Sequence, residues 1–486
     1  FFRGARTART PPGQVQSRTM LFNSWHFVAF LLVVLSVACW LPRYGRAWKF
    51  FLIGASCYFY GQWSWKYLSL IALTATVDYL IAQRLAASSS PRRLITISLV
   101  ANLGVLAFFK YANFLIASIN GLGEAAGAAL LITPLDIILP VGISFYTFQN
   151  MSYTLDVYRG HLAPRKSPLD YAVFTTFFPQ LLAGPIVRAS EFFTQLDRPN
   201  PITLRSLQYA LVLIAAGYVK KVVLADNLAV SVEQVFGNPA AADPWMALFA
   251  VYAFGFQIYF DFSGYTDIAI GLALLFGFQF PKNFDYPYLA LSFQEFWRRW
   301  HMTLSRWLRD YLYIPLGGNR DGLARTMANL MTTMLLGGLW HGASWNFVIW
   351  GGLHGAYLAI ERLALSRMAW WQSEHKLAKV LRWLVVFNLV CFAWIFFRAP
   401  DFATSLIIIG KIAGIASAPY SAVTVGKLPL LLAGLIVMHA AMGHWQVKDR
   451  LADASAWIFA AFVSAMILLL IWFTPSRTVP FIYFQF

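Results

Sequence analysis

Charge is what this chain has least of. Asp, Glu, Lys and Arg make up 12% of its 486 residues, against about 25% in an ordinary soluble domain, and no polar stretch is long enough to stand as a separate soluble domain. A water-soluble globular fold is thereby excluded. Acids are scarcer than bases, 21 against 38, leaving a formal net charge of +17. That surplus falls mainly in short segments between apolar runs, such as "RYGRAWK" (43–49) and "PRRL" (91–94), where the basic asymmetry of membrane proteins places it. The charge therefore argues for a membrane and against nucleic acid as a partner.

Cysteine is nearly absent too. Cys39, Cys57 and Cys391 lie far apart, each in an apolar run, so neither a disulfide framework nor a thiolate metal site is indicated. The sequence holds no HExxH, no GxSxG, no P-loop and no GxGxxG in a strand context. Zinc-peptidase, serine-hydrolase, nucleotide-hydrolysing and dinucleotide-binding readings lose their support. His301, His341 and His354 are never three or four residues apart, so no metal site is expected of them. The ten-residue alternation of a transmembrane barrel is missing, as is the internal repeat of many secondary transporters.

What is present is hydrocarbon. Hydrophobic residues make up 59% of the chain and the mean hydropathy is +0.58. Runs approaching the roughly 20 apolar residues of a spanning helix recur from Trp25 to Phe473. Thirteen candidate spans between residues 24 and 474 set an upper bound. The expected fold is an all-α polytopic membrane protein, with residues 20–486 as a single transmembrane domain. Residues 1–19, Arg-rich, free of acids and followed by Met20, read as an expression scar or a misassigned start. With them set aside, Arg43, Arg46 and Lys49 decide the first span and put the N-terminus outside.

The least apolar region, 278–325, gathers most of the chemistry. Helical spacing over residues 296–311 collects Phe296, Trp297, Trp300, Leu304, Trp307, Leu308 and Tyr311 on one face and Arg298, Arg299, Ser305, Arg306, Arg309 and Asp310 on the other. Two compatible readings follow: an interfacial helix at the cytoplasmic headgroups, or guanidinium groups that hold the phosphates of an anionic substrate such as a coenzyme A thioester. His301 lies on the seam of that wheel, between Leu308 and Ser305. A partly desolvated imidazole within reach of polar groups suits acid–base chemistry near neutral pH.

His341 sits deeper, inside "MLLGGLWHGASWNFVIWGGLHG" (334–355). An ionisable group in a span is costly and points to function, and Gly337, Gly338 and Gly342 around it permit close approach of backbone or ligand. His354 follows 13 residues later, about 20 Å along a continuous helix, and reads as packing or support unless the chain turns. Asp261 and Asp267 in one apolar run, with Lys220, Lys221 and Asp226 in another, read as buried acids paired with lysines of a neighbouring helix; a proton or ion path is the alternative.

The runs "LPVGISFYTFQNMSYTLDVYRG" (139–160), "FFPQLLAGPIVR" (177–188), "DFSGYTDIAIGLALLFGF" (261–278), "NFDYPYLALSFQEFWRRWHMTLSRWLRDYLYIPLGG" (283–318), "LLGGLWHGASWNFVIWGGLHG" (335–355) and the terminal "FIYFQF" together resemble the membrane-bound O-acyltransferase (MBOAT) family, in its alginate O-acetyltransferase branch. The resemblance runs from Met20 to Phe486. It implies a many-helix bundle around a central funnel, with His341 of the "LWHG" motif catalytic and His301 of "RRWHMTLS" as the second active-site residue. It further implies acetyl-coenzyme A as a cytoplasmic donor, no permanently bound cofactor, and an inner-membrane location among lipids and a polysaccharide biosynthesis complex. A periplasmic SGNH-type acetyltransferase would then act as partner in O-acetylating an exported polysaccharide such as alginate. A neutral imidazole that takes the hydroxyl proton fits such chemistry, contributing about 10²–10⁴-fold. The alternative is a polysaccharide export or transporter component without acyl chemistry, resting on the many spans and on Asp261 and Asp267; a scaffold that anchors a periplasmic enzyme is a third class.

Overall fold

In hydrocarbon no water is available for backbone groups, so each segment must satisfy its own N–H and C=O bonds. The computed structural model describes residues 20–128, 131–418, 420, 425–474 and 480–482, and these contain helices and no strand. The segment before Met20 lies outside the described residues. Among the described residues, seven helices are long and apolar enough to cross a membrane: Leu68–Leu85, Pro91–Ala125, Leu204–Gly237, Pro244–Leu275, Lys376–Arg398, Leu428–Trp445 and Ala456–Phe473. The all-α polytopic architecture is as expected, and these helices are fewer than the thirteen candidate stretches. The stretch near 168–184, for example, divides into Pro168–Thr176 and Phe178–Leu181, because Pro179 fits the first turn of a new helix and not the middle of an old one.

Contacts group the chain into two compact units, residues up to 210 with Ile268–Pro281, and Leu211–Asp267 with residues from Lys282 onward. In the first, α1 (Leu68–Leu85), α2 (Pro91–Leu106) and α3 (Ile143–Tyr158) pack on one another. Asp78 at their centre is fully buried and accepts hydrogen bonds from Ser98 Oγ (2.6 Å) and Asn102 Nδ2 (2.7 Å). A buried carboxylate needs such donors.

The second unit holds His301, His341 and His354. The longest helix, α4 (Pro244–Leu275), contributes its residues up to Asp267; it is mostly apolar and correspondingly buried, with Phe254, Phe256, Ile258 and Phe262 all at 0% exposure. Two short helices follow, α5 (Phe293–Arg299) and α6 (Met302–Leu308). Then α7 (Gly322–His341) and α8 (Trp345–Leu363) form an antiparallel hairpin, with α9 (Lys376–Arg398) against α8.

Glycine sets how close the hairpin closes. A methyl group added at Gly338 would lie 2.2 Å from Phe347 O, and one at Gly351 would lie 2.3 Å from Met334 O. Small residues that let helix backbones touch are the usual device for packing in lipid. The reversal itself is made by extended Gly342 and by Ser344, whose side chain accepts from Asn346 N at 3.1 Å and starts α8. The chain therefore does turn between His341 and His354, and the separation along a continuous helix does not apply.

Gly351→Ala forces the hairpin apart and is expected to cost about 1–3 kcal/mol, read as a lowered Tm of the purified protein in detergent. Gly352→Ala is the control, since its added methyl meets only Leu335 Cδ2 at 3.5 Å and should leave Tm in place.

Candidate active site

The amphipathic helix expected over 296–311 is not continuous. It breaks at Trp300–His301, where Trp300 is extended (ψ 129°) and His301 is left-handed (φ 41°, ψ 54°), a conformation that costs an L-residue about 1–3 kcal/mol. The segment 283–285 stitches the break. Asp285 N donates to Arg299 O (2.9 Å) and Met302 N to Asn283 O (2.8 Å). The Asn283 amide oxygen accepts from Thr303 N (3.2 Å) and Thr303 Oγ1 (2.9 Å), and faces His301 Nδ1 at 3.1 Å. An oxygen that already accepts the Thr303 N–H requires Nδ1 to donate as well, so Nε2 of His301 carries the ring's lone pair.

The break re-aims His301 into the apolar interior of the unit. It is fully buried, edge-on to Phe262 at 4.6 Å and against Trp340 at 6.1 Å between ring centroids. His341, buried at the C-terminal end of α7, lies 5.0 Å from Trp340, 5.0 Å from Trp350 and 5.3 Å from Phe397. The two histidines, 40 positions apart in sequence, thus share Trp340 as a common wall.

His354 also reaches this group. Its ring is 4.8 Å from Trp350 and 5.1 Å from Trp297, and neither ring nitrogen has a hydrogen-bond partner among the described residues. It supports the wall behind His341 through Trp350.

The four arginines do not line one helix face. Arg298 and Arg299 are on α5, Arg306 on α6, and Arg309 opens a π-helical turn, Arg309–Tyr313. Arg299 is held by Glu295 Oε1 at 2.7 Å and by Asp285 O at 3.1 Å, and Arg309 by Asp310 at 2.6 Å. Arg298 is exposed and Arg306 half-buried.

The apolar-run acids pair with lysines, as the structural reading of them expected. A π-helical turn, Val219–Ala225, presents Lys220 to Asp267 (2.7 Å) and Lys221 to Asp226 (2.7 Å) and Asp261 (2.6 Å). Two contacts were missed. Lys448 shares Asp267 at 2.6 Å, and the backbone N–H of Ile482 donates to Asp261 Oδ2 at 2.7 Å. Beside it Phe481 stacks on Tyr265 (4.6 Å) and touches Phe262 (5.7 Å), the ring that also meets His301. The apolar "FIYF" run at the end was the only sequence signal for this docking. Among the described residues no group of three or more His, Cys, Asp or Glu side chains could hold a metal.

The chain resembles known proteins over most of its length. The description "MBOAT, membrane-bound O-acyltransferase family" matches residues 159–399, which contain all three histidines discussed above. "Probable alginate O-acetylase AlgI" of Azotobacter vinelandii is 42% identical over 388 residues, 79% of this chain and 76% of that protein. The chain belongs to the membrane-bound O-acyltransferase family. "Peptidoglycan O-acetyltransferase" of Helicobacter pylori is 37% identical over 432 residues, 82% of this chain and 80% of that protein. "Teichoic acid D-alanyltransferase" of Streptococcus thermophilus is 30% identical over 290 residues, 53% of this chain and 68% of that protein. An MBOAT member is an O-acyltransferase, and this one is a multi-pass membrane protein.

Asn283→Ala removes the oxygen that fixes His301 and Thr303. The orphaned donors should cost about 1–3 kcal/mol of stability, and kcat for acyl transfer should fall about tenfold or more with a smaller change in KM. An unchanged kcat in the folded variant would show that the tether on His301 is not used.

Proposed function

We propose that this chain takes acetyl groups from acetyl-coenzyme A at the cytoplasmic side of a bacterial inner membrane and passes them on for O-acetylation of an exported polysaccharide such as alginate. A periplasmic SGNH-type acetyltransferase, within a polysaccharide biosynthesis complex, is the partner that completes the transfer. The observation that carries this reading is the shared wall at Trp340: two buried imidazoles, His301 and His341, face one indole in a setting from which water is excluded. The relatives' names add the acceptor class, since they describe acyl groups placed on alginate, peptidoglycan or teichoic acid.

In the proposed reaction His341 takes the proton of the attacking hydroxyl as its oxygen adds to the thioester carbonyl. The tetrahedral intermediate collapses, the carbon–sulfur bond breaks, and the His341 imidazolium returns the proton to the departing thiolate. One proton moves and none is consumed. His301, whose Nδ1–H is held by Asn283, offers a lone pair at Nε2 to position a substrate hydroxyl or thiol, or to relay the proton toward the thiolate. Arg298, Arg299, Arg306 and Arg309 supply cationic charge for the donor phosphates. The export reading gains no observation of its own, because Asp261 and Asp267 are held by lysines.

His341→Ala is expected to abolish acetylation of secreted polymer while the protein still accumulates in the membrane; a mutant that acetylates normally would refute the role. His301→Ala should lower transfer about 10²–10⁴-fold. Loss of polymer export with acetyl content per sugar unchanged would favour the export component instead. Replacing Arg298 and Arg299 together with Gln should raise KM for the thioester more than KM for the acceptor, and equal effects on both would count against phosphate recognition.

A further inference from the structure

The charge pairs of the second unit do not balance where Lys448 joins them. Lys220 and Lys448 approach the same oxygen, Asp267 Oδ2, at 2.7 and 2.6 Å, so two ammonium groups share one carboxylate. Leaving a buried charge without a counter-charge is costly. The surplus is not isolated. Lys220 Nζ lies 5.7 Å from the Tyr259 ring centre and Lys282 Nζ lies 5.8 Å from that of Tyr286, and the His439 ring meets the same two tyrosines, at 4.9 and 5.3 Å.

His439 belongs to α10 (Leu428–Trp445), and Lys448 to α11 (Val447–Ala452). His439 is 3% exposed. One of its ring nitrogens is hydrogen-bonded to the backbone of Tyr286, while Nε2 has no partner among the described residues. The group opens outward, because the Lys282–Asp285 pair at its edge is 57% and 40% exposed. Burial pushes the Lys448 ammonium down to about 8, with Asp267 pulling it up and Lys220 and Lys282 pushing it further down. An anion placed there would reverse that depression.

We propose that Lys220 and Lys448 on Asp267, with the Lys282–Asp285 pair at their edge and the open Nε2 of His439, form a binding site for a phosphate-bearing ligand. On the functional reading above, on which this assignment of the ligand rests, the phosphate is the diphosphate of the coenzyme A donor. Lysine binds phosphate as a point charge, and an approaching anion favours the imidazolium of His439, whose Nε2–H then donates. The position suits a donor of that shape. Tyr259, the ring shared by Lys220 and His439, is 6.4 Å from Trp300, the residue before His301, and a pantetheine arm holds a thioester at a distance from its phosphates.

The test uses the full-length protein in phosphatidylcholine nanodiscs, with desulfo-coenzyme A binding followed by calorimetry. Lys448→Gln should raise Kd about tenfold, or about 1.4 kcal/mol, and flatten its dependence on salt, whereas Lys448→Arg should stay within about twofold of the wild type. Should Lys448→Gln fail to fold, the exposed Lys282→Gln should raise Kd about threefold. Acetyl-pantetheine, which lacks the diphosphate, should be used equally by wild type and variant. If Kd is unchanged but phosphatidylglycerol retained by the wild type in native mass spectrometry is lost from Lys448→Gln, the site stands with a lipid phosphate as its ligand. If neither changes, the proposal is overturned. Failure of wild-type protein to accept acetyl from acetyl-coenzyme A would sink the functional reading alone and leave the binding result intact.

Discussion

The Asn283 amide oxygen is the interaction on which the placement of His301 depends. A helix broken within protein leaves N–H and C=O groups exposed, and hydrocarbon offers nothing to receive them. At Trp300–His301 the bonds from residues 283–285 replace the lost helical ones: Asp285 N to Arg299 O, Met302 N to Asn283 O, and Thr303 N to Asn283 Oδ1. Each is worth about 0.5–1.5 kcal/mol net, so together they offset the roughly 1–3 kcal/mol of a left-handed histidine. Without them the straight helix would win. His301 would then stay on the seam of an amphipathic wheel, and its distance to Trp340 would be set by chance.

Orientation of the partner imidazole rests on a different physics. His341 is placed by backbone contact, Gly338 and Gly351 letting α7 and α8 close until their main chains touch. Its surroundings are then aromatic: Trp340, Trp350 and Phe397 within 5.3 Å or less. Such walls exclude water, which raises the worth of any fixed dipole or charge that meets a developing oxyanion. The hydrogen-bonded histidine and the aromatic-walled one are therefore not interchangeable. The first has a fixed tautomer, and the second is walled by aromatic rings at the C-terminal end of a helix.

How much of this could be read in advance depended on whether the cause was local. Apolar run lengths, the pairing of Asp261 and Asp267 with lysines, and the burial of His301 and His341 all follow from residues near one another or from the cost of charge in lipid. The split between Trp300, Leu304, Trp307 and Leu308 inside and Arg298 and Arg309 outside was also legible. The break between them was not, because "RRWHMT" contains neither proline nor glycine and the bonds that impose it come from Asn283 and Asp285. Lys448 and Ile482 were hidden for the same reason, at sequence separations of 181 and 221 from the acids they meet. The turn after His341 was readable in principle, since Gly342 followed by Ser344 as an N-cap is a stop-and-start signal.

The adjacent lysines show how a buried charge can specify a helix crossing. A methyl added at Gly264 would lie 2.7 Å from Gly217 O, so α4 and the helix carrying Lys220 and Lys221 touch backbone to backbone there. Asp261 and Asp267 stand three residues before and three after Gly264, about 4.5 Å up and down the axis, and neighbouring residues on a helix diverge by about 100°. Lys220 and Lys221 can thus pass on opposite sides of one contact and reach acids on either side of it. Sliding the crossing by one turn would strand at least one charge, a penalty of several kcal/mol, so the ion pairs fix register where apolar packing alone would tolerate slippage. Lys221, with Asp226 and Asp261, and Lys220, with Asp267, already complete that function. Lys448 is the charge that the crossing does not need, and its presence on a carboxylate already held by Lys220 requires an explanation other than packing.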